Sequence, residues 1–307
     1  MTLSAVRLAT RASALALWQA NHVAAMLRPV TAPRPVTLVP IETHGDRDQS
    51  SALAGMGGFG VFTKAIQQAL LDEKADVAVH SLKDLPTLVT EGVTLVATPP
   101  RGPSGDAFVS RIHSRFDDLP SGAMIGTSSL RRAAMIRSRR PDLRILPLRG
   151  NVETRLHKLD EQQWAGIVLA EAGLTRLGLS HRITERLDPT WMLPAVGQGA
   201  IGLECRNDDR RTIDLATMLN DPETLARITA ERTMLATLGG GCLVPIGATS
   251  NIENDLLTLR AMVLSADGVR KVAATHTGPA ASPKAIGLEL AAMLISEGAA
   301  DILRGSG

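Results

Sequence analysis

Short apolar runs without alternation recur along the chain, each followed by a polar turn and then by apolar positions three and four residues apart. This is the pattern of strands buried on both faces of a mostly parallel sheet, alternating with amphipathic helices. Val6 to Ala9 reads as the first strand, and Thr10-Arg11-Ala12-Ser13 leads into a helix from Ala14 to Leu27 that Pro29 ends. Val36 to Ile41 is a second strand. Phe62 to Leu71 returns to helical spacing, with Phe62, Ile66 and Leu70 on one face, and feeds a third strand, Val77-Ala78-Val79. That run stops at His80, so the stretch DVAVHSLKDLP (Asp76 to Pro86) puts His80, Ser81, Lys83 and Asp84 at a strand's carboxyl end, the edge at which open α/β sheets bind ligands. Asp84 is the first candidate for a working carboxylate. The local sequence is equally compatible with a surface ion pair in which Asp84 caps a helix.

PPRGPSG, Pro99 to Gly105, can continue neither a helix nor a central strand and marks a domain boundary. Beyond it the same unit begins again: Met124-Ile125-Gly126 as a strand, Thr127-Ser128-Ser129 as a polar turn, and Leu130 to Arg140 as a helix stopped by Pro141. The echo suggests two similar α/β lobes, each binding something at a helix N-terminus. Arg144 to Leu148 is a further strand, and Arg149-Gly150-Asn151 turns it into a helix that Asn151 can cap and that carries Arg155. Gly166 to Ala170 is a buried strand followed by a helix with Arg176. Leu193 to Gly199, LPAVGQG, is a second crossing between domains, with a strand from Ile201 to Glu204 after it. Asn220-Asp221-Pro222 precedes a long helix, Glu223 to Leu235. Gly239-Gly240-Gly241-Cys242 opens a smaller α+β region with strands near Pro245 to Ser250 and Leu256 to Leu264, closed by a helix from Pro283 to Ser296.

A chain of 307 residues accommodates two or three domains. A net charge of only +2 supplies no global field for a polyanion or an acidic membrane, so local clustering decides. Arg11, Arg131, Arg132, Arg149, Arg155 and Arg176 all fall at predicted strand ends or first helical turns. Arginine grips carboxylates bidentately and helix N-termini favour anions, so such a lining suits a ligand with several carboxylates. Nucleic acid is disfavoured, because the chain is 2% aromatic, has no tyrosine and has no aromatic residue between Phe116 and Trp164 to stack bases. Arg137, Arg139 and Arg140 read as a solvated helix face. No signal peptide and no run of about 18 apolar residues is seen, which points to a soluble cytoplasmic protein with reduced thiols. Seven scattered histidines and two distant cysteines offer no metal-ligand spacing. Cys205 sits in an apolar run and reads as a small buried hydrophobe, whereas Cys242 after three glycines suits an exposed thiol, structural or functional. Glu42 to Gly60, with five glycines and almost no periodicity, reads as a lid or a disordered loop.

Five motifs in order, HSLKDLP (80–86), GTSSLRR (126–132), LRGNVETRL (148–156), LPAVGQGA (193–200) and GGGCLVPIG (239–247), make the chain resemble the porphobilinogen deaminase family, over Arg7 to about Leu303. The resemblance implies two lobes like those of periplasmic binding proteins plus a third α+β domain. The first lobe would be residues 1–99 and 200–219, the second 100–199, and the third 220–307. It implies condensation of four porphobilinogen molecules into hydroxymethylbilane with loss of ammonia. A dipyrromethane cofactor bonded through a thioether to Cys242 would prime the reaction. Asp84 matches the family's catalytic carboxylate. Arg11, Ser13, Ser81, Lys83, Thr127, Ser129, Arg131, Arg132, Arg149, Asn151, Arg155, Arg176 and Gln198 match its cofactor- and substrate-binding positions. A cytoplasmic monomer that binds neither nucleic acid nor membrane is expected. In the glycine-rich lid the chain has Gly57-Gly58-Phe59 where the family commonly has a lysine third, and His44 stands where arginine is usual. Two other classes fit parts of the pattern. A non-catalytic carboxylate receptor would not need Cys242 after three glycines, and an RNA binder lacks its aromatics.

Overall fold

The first apolar run forms β1 (Val6–Arg11), two residues longer than its apolar core, because Thr10 and Arg11 go on pairing in parallel with Pro40 and Ile41 of β2 (Val36–Ile41). Ser13 caps α1 (Ala14–Thr31), accepting a hydrogen bond from Ala16 N at 3.4 Å. Ala20, Val23, Ala24, Leu27 and Thr31 recur at one-, three- and four-residue steps and form the helix's buried face. Pro29 does not end this helix. It lies in the last turn, where its missing N–H forfeits a single bond and the helix stops two residues later.

The computed structural model describes residues 4–42, 63–240 and 244–304. Gly57, Gly58 and Phe59 of the lid, and Cys242, lie outside the described residues. After α2 (Lys64–Leu71) come β3 (Val77–Ser81) and β4 (Val93–Ala97). Arg7 grips Asp76 with its backbone N–H, Nε and Nη2, at 2.8, 3.2 and 2.7 Å, and so fixes where β3 starts beside β1. The chain then forms β5 (Asp106–Val109), β6 (Met124–Gly126), α3 (Leu130–Arg139), β7 (Arg144–Leu146), α4 (Val152–Glu161), β8 (Gly166–Ala170), α5 (Glu171–Arg176) and the short β9 (Glu185–Arg186). It continues with β10 (Ile201–Arg206), α6 (Arg210–Thr217) and α7 (Pro222–Thr237), and finishes with β11 (Ile246–Glu253), β12 (Leu256–Leu264), β13 (Lys271–Pro279), α8 (Pro283–Ser296) and α9 (Ala299–Arg304).

These elements group into two units, Met1–Gly102 with Ala200–Leu225, and Pro103–Gly199 with Ala226–Gly307. The first holds a five-stranded sheet in the order β2-β1-β3-β10-β4, in which β10 runs antiparallel to β3 and β4. The second holds a sheet of the same design, β7-β6-β8-β5-β9, with β5 antiparallel to β8 and β9. The parallel trio in each arises from strand, helix, strand connections, and the antiparallel strand enters from elsewhere in the chain. Together with the antiparallel sheet β11-β12-β13 and its helices, this gives two α/β lobes with mixed sheets and a third, α+β region.

The α+β region has its own core, with Ala230 and Met234 of α7 and Leu290 and Leu294 of α8 buried against Leu257, Leu259 and Ala261 of β12. Its first strand lies directly on the chain at Leu193 and Pro194. Ala248 N donates to Pro194 O at 2.8 Å. A Cβ on Gly247 would come within 2.8 Å of Leu193 O, so only glycine permits this approach.

The second lobe is organised around one acid. Asp106 begins β5 and is fully buried. Arg131 Nη1 donates to its Oδ2 at 2.7 Å, while Arg132 Nη2 and Gln198 Nε2 donate to its Oδ1 at 2.7 and 2.8 Å. Burial alone would raise the Asp106 carboxyl, but the charges and hydrogen bonds of the two guanidinium groups outweigh it and hold the group well below the usual carboxylate range. Asp106→Asn would leave two buried cations without a counter-charge, at a cost of about 3–5 kcal/mol. The expected result is a fall in Tm of roughly 6–20 °C by circular dichroism. A carboxyl lowered on folding contributes its stability above its unfolded pKa and loses it as the pH falls. The difference between the two proteins should therefore be constant above about pH 5 and narrow below about pH 4.

Candidate active site

The described residues among those singled out in the sequence divide between the two units, and in both most of them lie at or just after the carboxyl ends of parallel strands. In the first unit Arg11 is the last residue of β1, Ser81 the last of β3, and Lys83 and Asp84 lie on the single 3-10 turn Leu82–Asp84 that follows. That turn is fixed from below. Leu82 is buried, its N–H donates to Ala200 O at 3.1 Å, and its side chain fills the space left by Gly202, where a Cβ would stand 2.6 Å from Leu82 Cδ1. Asp84 is half-buried, and no described residue hydrogen-bonds to its carboxylate. The Ser81 hydroxyl is engaged by the buried amide of Gln19, with 2.9 Å from Nε2 to Oγ and 3.1 Å from Oγ to Oε1. Ser13 is occupied in capping α1.

In the second unit the loop after β6 and the loop after β7 are tied together, because Ser128 Oγ accepts from Leu148 N at 2.9 Å. Thr127 Oγ1 accepts from Ser129 N, and Ser129 Oγ caps α3 by accepting from Arg132 N at 3.4 Å. Asn151 caps α4, accepting from Thr154 N at 2.8 Å, as its spacing predicts. Arg155 Nε donates to Gly150 O at 2.8 Å, and Gly150 adopts φ 111°, a conformation that favours glycine. Arg149 precedes this turn, and its carbonyl accepts from Lys158 Nζ. Arg176, half-buried at the end of α5, donates from Nη2 to Gly199 O at 2.7 Å.

Arg131, Arg132 and Gln198 are brought together, but on Asp106. The guanidinium groups also reach backbone, Arg131 to Leu193 O and Arg132 to Val168 O, and Gln198 reaches Ser104 O and Gly105 O. Their buried charges do not balance, with two cations facing one carboxylate. The Nε of each arginine is buried with no hydrogen-bond partner among the described residues. Buried donors of this kind are rare unless a ligand or water completes them. This surplus of positive charge and of donors, beside two capped helix N-termini, fits a cofactor that bears carboxylates.

The sequence reading missed Asp106, which lies in an unremarkable SGDAF stretch, and Gln19, Gln67 and Glu204, polar residues inside otherwise apolar segments. An acid opening an apolar run was the one available signal. Cys205 is fully buried, and desolvation pushes its thiol up to about 12, so it is held as an unreactive thiol. Among the described residues no cluster of His, Cys, Asp and Glu could hold a metal ion, and no helix is long and apolar enough to cross a membrane.

Comparison with known proteins agrees with these motifs. The family description "Porphobilinogen deaminase, dipyromethane cofactor binding domain" matches residues 6–214, and "Porphobilinogen deaminase, C-terminal domain" matches residues 225–296. The porphobilinogen deaminase of Syntrophotalea carbinolica is 47% identical over 303 residues, which cover 99% of this chain and 96% of that protein. Among solved structures, a periplasmic substrate-binding protein of an ABC transporter from Coxiella burnetii is 14% identical, with a TM-score of 0.46 over 74% of this chain and 96% of its own. A methionine-binding lipoprotein from Bacillus subtilis is 10% identical, with a TM-score of 0.43 over 70% of this chain and 89% of its own. Neither adds to what the strand order already shows. With its two domain matches covering most of the sequence and a near full-length relative at 47% identity, the chain belongs to the porphobilinogen deaminase family.

Proposed function

We propose that this chain carries out its family's reaction through residues at the two sets of strand ends described above. The reaction is the head-to-tail condensation of four porphobilinogen molecules into hydroxymethylbilane, with loss of ammonia at each step, in tetrapyrrole biosynthesis. The observation that carries the assignment of roles is the uneven charge around Asp106. Two buried guanidinium groups with unfilled donors need an anion, and each porphobilinogen unit brings an acetate and a propionate.

Arg131, Arg132 and Ser129 would hold the carboxylates of the dipyrromethane cofactor, and Arg11, Arg149, Arg155 and Arg176 those of incoming substrate and growing chain. Lys83, Ser13, Ser81, Thr127, Asn151 and Gln198 shape the same strand ends. When bound, the cofactor supplies the nucleophilic pyrrole carbon on which the chain is built. Asp84 protonates the departing amine of the substrate and, once ionised, stabilises the cation left on the substrate's methylene carbon. One carboxyl group can do both because the two roles follow one another. The half-buried carboxylate, with no hydrogen bond from a described residue, on a turn fixed from below supports this assignment. Cys242 would carry the cofactor. Of the two cysteines, Cys205 is buried with its thiol held protonated, which makes it a poor nucleophile. Attachment needs a free thiol, so the proposal includes a reducing, cytoplasmic setting; the resemblance to the family adds action as a monomer. The lid residues Gly57, Gly58 and Phe59 belong to the same proposal as apolar cover over the growing chain.

Asp84→Asn keeps size but cannot transfer the proton, so turnover is expected to fall at least about a hundredfold while the cofactor remains attached. A well-folded Asp84→Asn protein with near-normal turnover would remove Asp84 from the mechanism. Cys242→Ser is expected to lack the cofactor in its intact mass, whereas Cys205→Ser should keep it. An adduct mapped to Cys205 would reverse the assignment.

A further inference from the structure

Glu204, on β10, is a carboxylate only 5% exposed. Such a group gains no net stability over an apolar residue of similar size unless its oxygens are well satisfied. The side chains that face it are Gln67 of α2 and His80, the first residue of the HSLKDLP motif. Antiparallel pairing sets Glu204 opposite Ala78 and Gly202 opposite His80, which makes Glu204 and His80 diagonal neighbours on one face of the sheet. His80 Nε2 lies 2.9 Å from Glu204 Oε2, a close contact although the ring nitrogen is not aligned for a hydrogen bond to the oxygen. Gln67, a buried residue of α2, donates from Nε2 to both carboxylate oxygens, at 3.1 and 3.0 Å. Its Oε1 accepts from Thr90 Oγ1 at 3.1 Å, which fixes the amide's orientation.

The network thus clamps the strand four residues before Asp84 on one face, and Gln19 grips Ser81 on the other. Asp84 has no hydrogen bond of its own from a described residue, so its direction is set by the backbone that these contacts hold. A carboxylate that must meet a substrate amine within a fraction of an ångström depends on such support. We infer that Glu204, acting with Gln67 through His80, is a positioning residue that orients Asp84 for the condensation. The inference rests on the assignment of Asp84 as the working carboxylate.

Glu204→Gln, made in the full-length protein with its cofactor attached, removes the charge and keeps the shape. Turnover should fall about tenfold with KM changed less than about twofold, the signature of a lost transition-state interaction. In an Asp84→Asn background the same change should cost less than about twofold in single-turnover rate, because the group it orients is already disabled. Gln67→Met, which removes donors farther from the strand, should give the same pattern more weakly and serves if Glu204→Gln does not fold. Equal losses in both backgrounds, unchanged turnover in a folded and loaded Glu204→Gln protein, or losses in both variants explained entirely by missing folded or cofactor-loaded protein would each overturn the inference. Near-normal turnover of Asp84→Asn alone would instead overturn the assignment on which it rests.

Discussion

A charge taken out of water must find a hydrogen-bond partner, and in this protein such partners tie strands to the segments beside them. Asp106 starts β5 inside the second lobe, and three side chains from two other segments converge on it. Arg131 and Arg132 reach it from the first turn of α3, and Gln198 reaches it from the loop that follows Pro194, so one carboxylate fixes the mutual position of a strand, a helix and a crossing of the chain. In the first unit Arg7 with Asp76 and Glu204 with His80 and Gln67 hold β3 at its start and near its end. The residues proposed to act on substrate and cofactor lie close to these anchors. Packing alone would tolerate small slips of register, whereas directional hydrogen bonds between ion pairs do not.

The two lobes share one sheet design, with a parallel trio flanked by an antiparallel strand, and they use it in the same way. Each presents a helix N-terminus capped by serine, Ser13 in one and Ser129 in the other, at the end of its central strand. The cap consumes one backbone donor and leaves neighbouring donors and the helix dipole facing the strand ends. For a product that adds two carboxylates with every unit, a surface of this kind holds charge without covalent contact. The surplus cation around Asp106 adds to it.

Much of this was legible in the sequence because strand and turn carry strong local signals. Val36–Ile41, Met124–Gly126, Gly166–Ala170, Leu256–Leu264 and Pro283–Ser296 have the predicted bounds, and Asn151 and Ser129 cap the helices they precede. The misses have physical causes. Pro29 signals a stop in the sequence, but a proline in a last turn costs one hydrogen bond and not the helix. β13 (Lys271–Pro279) alternates exposed and partly buried positions across threonines, alanines and a histidine, with only Ala274 buried, too weakly apolar to register as a strand. Arginine clustering at strand ends was visible, but that Arg131 and Arg132 already share a buried carboxylate was not, because Asp106 is some 25 residues distant in sequence and only tertiary folding joins them. The same holds for Glu204, which partners residues more than a hundred positions earlier.

The central claim is that these strand ends hold a carboxylate-rich chain while it grows on the protein itself. The most direct test is the intact mass of the protein during the first turnovers with limiting porphobilinogen. A ladder of species is expected, each heavier than the last by one porphobilinogen less ammonia, all mapping to the peptide that contains residue 242 and all returning to the starting mass as product is released. Product formation without any protein-bound ladder, or a ladder attached elsewhere, would contradict it.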